Sequence, residues 1–186
     1  MQKCNKRTEP NTDAQYAEAM AKCRDIFSKK LLDYGASWRI MRPETITDQI
    51  YIKAKRIRTL QIVGESMVDE GIEPEFIGIV NYGIIALIQL QHGFVDSADM
   101  TAAEALAQYD AHAAEIKQLL FAKNHDYDEA WRQMRISSFV DIILTKIDRN
   151  KEIEDNCGKT IVSEGVASNY MDMVNYAAFA LIKLSE

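Results

Sequence analysis

Two stretches decide the fold: DYGASWRIMRPETITDQIYIKAKR at Asp33–Arg56, and DYDEAWRQMRISSFVDIILTKIDR at Asp126–Arg149. They lie 93 positions apart, and 10 of their 24 positions are identical. The shared residues are Asp33/Asp126, Tyr34/Tyr127, Trp38/Trp131, Arg39/Arg132, Met41/Met134, Arg42/Arg135, Asp48/Asp141, Ile50/Ile143, Lys53/Lys146 and Arg56/Arg149. Upstream, the same offset sets DAQY at Asp13–Tyr16 against LAQY at Leu106–Tyr109. Downstream, one inserted residue moves the offset to 94. Glu70-Gly71 then faces Glu164-Gly165, and Val80–Tyr82 faces Val174–Tyr176. A recurrence this long marks an internal duplication.

Each copy reads as three helices. The apolar spacing predicts Thr12–Leu32, Thr45–Val63 and Pro74–Gln91 in the first copy. In the second it predicts Thr101–Lys123, Ser138–Asp155 and Ser163–Leu184. Thr45 and Ser138 suit N-caps, and Pro74 suits a first helical turn. A one-turn element holds Tyr-x-x-x-Trp-Arg-x-Met-Arg before each middle helix. A single three-helix unit has little core of its own. The predicted fold is therefore all-α: two tandem three-helix repeats packed as a pseudo-twofold helical bundle, a fused version of a homodimer. The expected divisions are a tail at 1–12, repeat one at 13–93, a linker and helix start at 94–105, and repeat two at 106–186. Both repeats are expected to form one compact domain.

Composition narrows the partners. The chain of 186 residues carries a formal charge of −6. No general basic surface is available for a nucleic acid polymer, though a local basic pocket is allowed. Only 3 prolines and 8 glycines interrupt it, which favours long helices. The apolar run Ile84–Leu90 is broken by Gln89 and is too short to span a membrane. Cys4, Cys23 and Cys157 are odd in number and lack CxxC spacing, which fits reduced thiols in the cytoplasm. The polar start MQKCNKRTEPNTD is not that of a signal peptide.

Several constellations could carry chemistry. Lys53/Arg56 and Lys146/Arg149 stand at i, i+3, so each pair shares a helix face and suits phosphate binding. Alternatively, each is a solvated face with ordinary salt bridges. Asp172, Asn175 and Tyr176 share a face of the last helix, and copy one keeps Asn81 and Tyr82 but has Gly78 in place of the acid. Asp172, with Glu164 and Asn169, offers oxygen ligands of the kind Mg²⁺ takes. The other reading is a polar helix–helix contact in which Asn-Tyr locks the two copies together. Asp141, Asp148 and Glu152 form an acidic stripe where copy one has Asp48, Lys55 and Thr59. Tyr34 with Trp38, and Tyr127 with Trp131, could stack on a base or wedge into the core. Gly158-Lys159-Thr160 lacks the upstream glycine of a P-loop.

With these motifs assembled, the chain resembles nucleotide-modification-associated domain 1, formerly a domain of unknown function, in two copies. The resemblance implies a role near modified nucleotides. More distantly the chain resembles the MazG-like, all-α nucleotide pyrophosphohydrolases, which bind Mg²⁺ through Glu-x-x-Glu and Glu-x-x-Asp helices. Here Lys146 and Arg149 stand on the middle helix instead, with Asp172 and Asn175 on the last. One expectation is a Mg²⁺-dependent nucleoside triphosphate pyrophosphohydrolase-like enzyme, with Glu164 and Asp172 catalytic and a metal site drawing on Asp141, Asp148, Glu164 and Asp172. Lys53, Arg56, Lys146 and Arg149 would neutralise phosphate, with Asn81, Tyr82, Asn175 and Tyr176 as polar support. The expected ligand is a nucleotide or phosphorylated small molecule, and self-association into a homo-oligomer is a further expectation. Metal chemistry is expected in copy two, because only it keeps the acid at position 172. The alternative is a non-catalytic nucleotide-sensing or protein-interaction module.

Overall fold

The computed structural model describes residues 11–64, 71–162 and 164–186. Within them lie six α-helices and two short 3-10 turns, with no strand. The first repeat gives α1 (Thr12–Tyr34), a turn at Ser37–Ile40, α2 (Pro43–Val63) and α3 (Glu73–His92). The second gives α4 (Ala102–Tyr127), a turn at Ala130–Gln133, α5 (Ile136–Asp155) and α6 (Val166–Ser185). No described helix is long and apolar enough to cross a membrane.

The helix ends follow local chemistry. Asn11 accepts from the Ala14 N–H at 3.1 Å, and Thr101 forms a reciprocal capping box with Glu104. Two expected starts move. The α2 helix begins at Pro43, not at Thr45, because the fixed φ of proline suits the first helical position after extended Arg42. By the repeat, α5 begins at Ile136 after Arg135, not at Ser138. The expected α6 start at Ser163 lies outside the described residues.

The Trp-Arg-x-Met-Arg signature forms the two 3-10 turns, and each is pinned by one long side chain. Gln89 on α3 donates to the carbonyls of Met41 at 2.7 Å and Arg39 at 3.0 Å. Its repeat partner, Lys183 on α6, donates to Arg132 and Met134 carbonyls, both at 2.7 Å. Buried Arg39 is further held by Asp99 at 2.8 Å and by the Gly93 carbonyl at 2.6 Å. These turns carry backbone polar groups into the packed interior, and the pinning side chains satisfy them.

The centre of the bundle is the crossing of α3 and α6, flanked by α2 and α5. Val80, Ile84, Met173, Val174, Ala177 and Ala178 are buried there. Gly83 lets the two helices approach: a Cβ at that position would stand 2.5 Å from Val174 Cγ2. The outer helices then tie the repeats in crossed fashion. Tyr16 of α1 donates to Asn175 of α6 at 3.1 Å, and Tyr109 of α4 donates to Asn81 of α3 at 2.9 Å. The Asn of each Asn-Tyr signature thus receives a phenol from the other repeat. This is the polar contact between copies that the retained motif allowed.

Candidate ligand cavity in the first repeat

On α2, Lys53 and Arg56 do share a face, and both turn toward buried Glu75 at the start of α3. Arg56 meets one Glu75 oxygen at 2.7 Å, and Lys53 meets the other at 3.4 Å. The spacing was therefore informative, but the anion it gathers belongs to the protein. A cavity of about 400 Å³ opens beside this cluster. Lys30, Tyr34, Trp38, Lys53, Glu75, Gly78, Asn81 and Tyr82 contribute to its wall, with apolar Phe27, Ile77 and Ile85. Tyr34 stands exposed at the mouth, and Trp38 is buried against Phe27. The Trp38 indole N–H is buried and has no acceptor among the described residues. Lys53 Nζ lies 5.9 Å from the Tyr82 ring centre, a cation over an aromatic face. Burial raises the phenols of Tyr34 and Tyr82, so both stay neutral hydrogen-bonding groups.

The second repeat fills the corresponding places. Where copy one has Gly78, copy two has Asp172, held by Lys123 at 2.8 Å and Lys146 at 2.6 Å, one lysine on each oxygen. Burial alone would raise the Asp172 carboxyl. The hydrogen bonds and charges of Lys123 and Lys146 outweigh it and hold the group below its ordinary value. Where copy one has Ile85, copy two has Phe179, stacked on Trp131 with centroids 4.2 Å apart and planes 4° from parallel. Tyr127 is exposed and Tyr176 half-buried, as their partners in copy one are.

The acids expected to hold a metal are not gathered. Asp172 spends its oxygens on two lysines. Exposed Asp141 stands 3.9 Å from Arg58, Asp148 is exposed, and Glu164 accepts from the Ser168 hydroxyl. Among the described residues, no three Asp, Glu, His or Cys side chains form a group fit for a metal ion. The described side chains do not present the several converging oxygens Mg²⁺ takes, although the charges of both Asp172 and Glu164 act on Lys123. Arg149 is exposed, and of the second cationic pair Lys146 is the one that meets the half-buried Asp172. Asn169 bonds Asn150 at 2.8 Å, away from the Asp172 cluster. The cavity described above is lined by residues of copy one, not by the acids of copy two.

Sequence reasoning passed over Lys30 and Lys123, although they obey the offset of 93 and lie three residues before the quoted stretches. Extending the comparison upstream finds them. Glu75 left no such signal, because its repeat partner is Asn169.

A duplicated helical bundle, in which Asp172 and a stacked Phe179 stand in repeat two where Gly78 and Ile85 line a cavity in repeat one, is the class of protein this architecture defines. The chain belongs to the family described as nucleotide modification associated domain 1, whose model matches residues 30–90 and again 123–184. The two matches start 93 positions apart and end 94 apart, the offsets read from the sequence. No curated protein and no solved structure matches the chain.

Proposed function

We propose that the first-repeat cavity binds a nucleotide or a closely related phosphorylated small molecule. The observation that carries this reading is that the motif residues Tyr34, Trp38, Lys53, Asn81 and Tyr82 line one cavity together with a second lysine, Lys30. Its volume of about 400 Å³ falls in the range of small-molecule pockets. Tyr34 and Tyr82 offer ring faces for a base, and each stacked base gains ~1–3 kcal/mol. The Trp38 N–H offers a donor to a base or sugar oxygen, which would relieve a buried unpaired group. Lys30 and Lys53 offer positive charge to phosphate. Arg56 keeps Glu75 in place whichever partner Lys53 takes. The family description, with its reference to nucleotide modification, supports the same ligand class.

Calorimetric titration of nucleoside mono-, di- and triphosphates, with and without Mg²⁺, tests this. The expected result is one ligand per chain. Tyr34→Ala, at the exposed mouth, should weaken it about 5- to 150-fold if a base stacks there. Trp38→Phe should weaken it about 2- to 10-fold by removing one donor. Silence across the panel at millimolar ligand refutes the reading, as does binding that neither substitution changes. Mg²⁺-dependent release of pyrophosphate in the same samples would replace simple binding with hydrolysis as the function.

A further inference from the structure

The two repeats hold the same pair of lysines in two states. In copy two, Lys123 and Lys146 close on the two oxygens of Asp172 at 2.8 and 2.6 Å. The offset of 93 puts Lys30 and Lys53 in their places in copy one, and the offset of 94 puts Gly78 in the place of Asp172. Lys30, Lys53 and Gly78 all line the cavity. A Cβ on Gly78 would lie 2.5 Å from both Cδ and Cε of Lys53. The Lys53 stem therefore rests where the Asp172 side chain would begin, and its ammonium reaches sideways to Glu75. That contact, at 3.4 Å, is the longer of the two on Glu75; Arg56 keeps its own at 2.7 Å. Lys53 can leave without stripping Glu75 of a cation.

We infer that the space over Gly78, between Lys30 and Lys53, is a seat for an oxyanion, and that Asp172 is the built-in occupant of the same seat in copy two. The ligand group is a phosphate or a carboxylate, since both present oxygens to two ammonium groups as Asp172 does. This deepens the nucleotide reading by fixing where its phosphate sits, yet it can fail separately, because inorganic anions test it without any nucleotide.

The experiment uses thermal unfolding of the full chain in sodium phosphate, acetate or chloride at matched ionic strength. Wild type should gain stability in phosphate over chloride, saturably, as one seat fills. Asp172→Gly leaves Lys123 and Lys146 without their anion and should lower Tm in chloride by about 6–20 °C. Phosphate or acetate should then recover about half of that loss, with acetate alone succeeding if the seat is selective for a planar carboxylate. Gly78→Asp works from the other side and does not disturb copy two. The flexible end of Lys53 can swing to the new acid, so Tm in chloride should hold or rise, and the phosphate response of wild type should vanish. Asp172→Gly gaining no more from phosphate or acetate than from chloride overturns the inference. So does Gly78→Asp keeping the phosphate response, which decides the matter even if Asp172→Gly does not fold. Nucleotide binding that survives in Gly78→Asp would leave the proposed function standing and place the phosphate elsewhere.

Discussion

Replacing Tyr109 by phenylalanine removes one oxygen from the middle of the molecule. That oxygen donates at 2.9 Å to Asn81 Oδ1, with both residues buried. The Asn81 amide nitrogen is engaged separately, donating to the Cys23 carbonyl at 3.1 Å. Phenylalanine keeps the ring and its stacking on Phe27 at 4.5 Å, so the change isolates one acceptor left without its donor. Such a buried group costs ~1–3 kcal/mol. A chain of this length loses ~2–4 °C in Tm per kcal/mol. The expected loss is therefore ~2–12 °C, read by calorimetry, with the urea m-value unchanged. Burial raises the Tyr109 phenol well above its ordinary value, so it remains a donor and the loss should not vary between about pH 5 and 9. Tyr16→Phe, which strips Asn175 of its 3.1 Å donor, should cost a similar amount. The pairing itself is tested by Asn81→Leu combined with Tyr109→Phe. The double variant should lose less than the two single losses together, because the second change removes a group already orphaned. A Tyr109→Phe chain within ~0.5 kcal/mol of wild type, or additive losses in the double variant, would refute the crossed-lock reasoning.

Three further outcomes follow from the packing. Gly83→Ala gains ~1 kcal/mol of helix propensity but meets Val174 Cγ2 at 2.5 Å, and overpacking costs ~1–3 kcal/mol. Urea unfolding should show a net loss that adding Val174→Ala relieves; a more stable single variant would mean the helices part easily. Lys183→Met removes both donors from the second 3-10 turn and should cost ~1–3 kcal/mol, whereas Lys183→Gln, which copies Gln89, should keep most of the stability; equal losses would contradict the pinning role. Burial, with the charges of Glu44 and Asp48, raises the Glu154 carboxyl against the lowering hydrogen bonds of Thr47 and Tyr170. A carboxyl raised on folding stabilises only while protonated: the contribution is present below its ordinary value near 4.5 and is lost as pH rises through the folded value. Glu154→Gln should therefore unfold at a higher temperature than wild type at pH 7, with the difference gone by about pH 4. The reverse trend would sink that assignment.

The fold was legible because duplication supplies an internal comparison. Trp38 and Trp131, Lys53 and Lys146, and Asn81 and Asn175 could be read as shared because each has a copy to be checked against. The helix starts at Pro43 and Ile136 were displaced because serine and threonine capping preferences lost to a turn fixed from a distance by Gln89 and Lys183. The site was half legible. Helical spacing placed Lys53 and Arg56 on one face, but spacing says nothing about which carboxylate faces them, and Glu75 lies on another helix. The acid at position 172 pointed to copy two as the chemical half. In the fold that acid is met by Lys123 and Lys146, while the glycine that replaces it in copy one makes way for the stem of Lys53 beside the cavity. A missing side chain is invisible as a signal until its neighbours are known.

The seam between α3 and α6 also sets a clock for biosynthesis. The apolar face of α3, which starts at Glu73, is covered by α6, which starts at Val166. At a synthesis rate of ~5–20 residues per second, that face waits ~5–20 s for its cover. Val80 and Ile84, buried in the finished protein, lack the cover of α6 throughout that interval, and aggregation between nascent chains is the expected consequence. Ribosome-bound chains halted after α4 should accordingly be digested by a protease within α3, and protection there before α6 has emerged would contradict this timing.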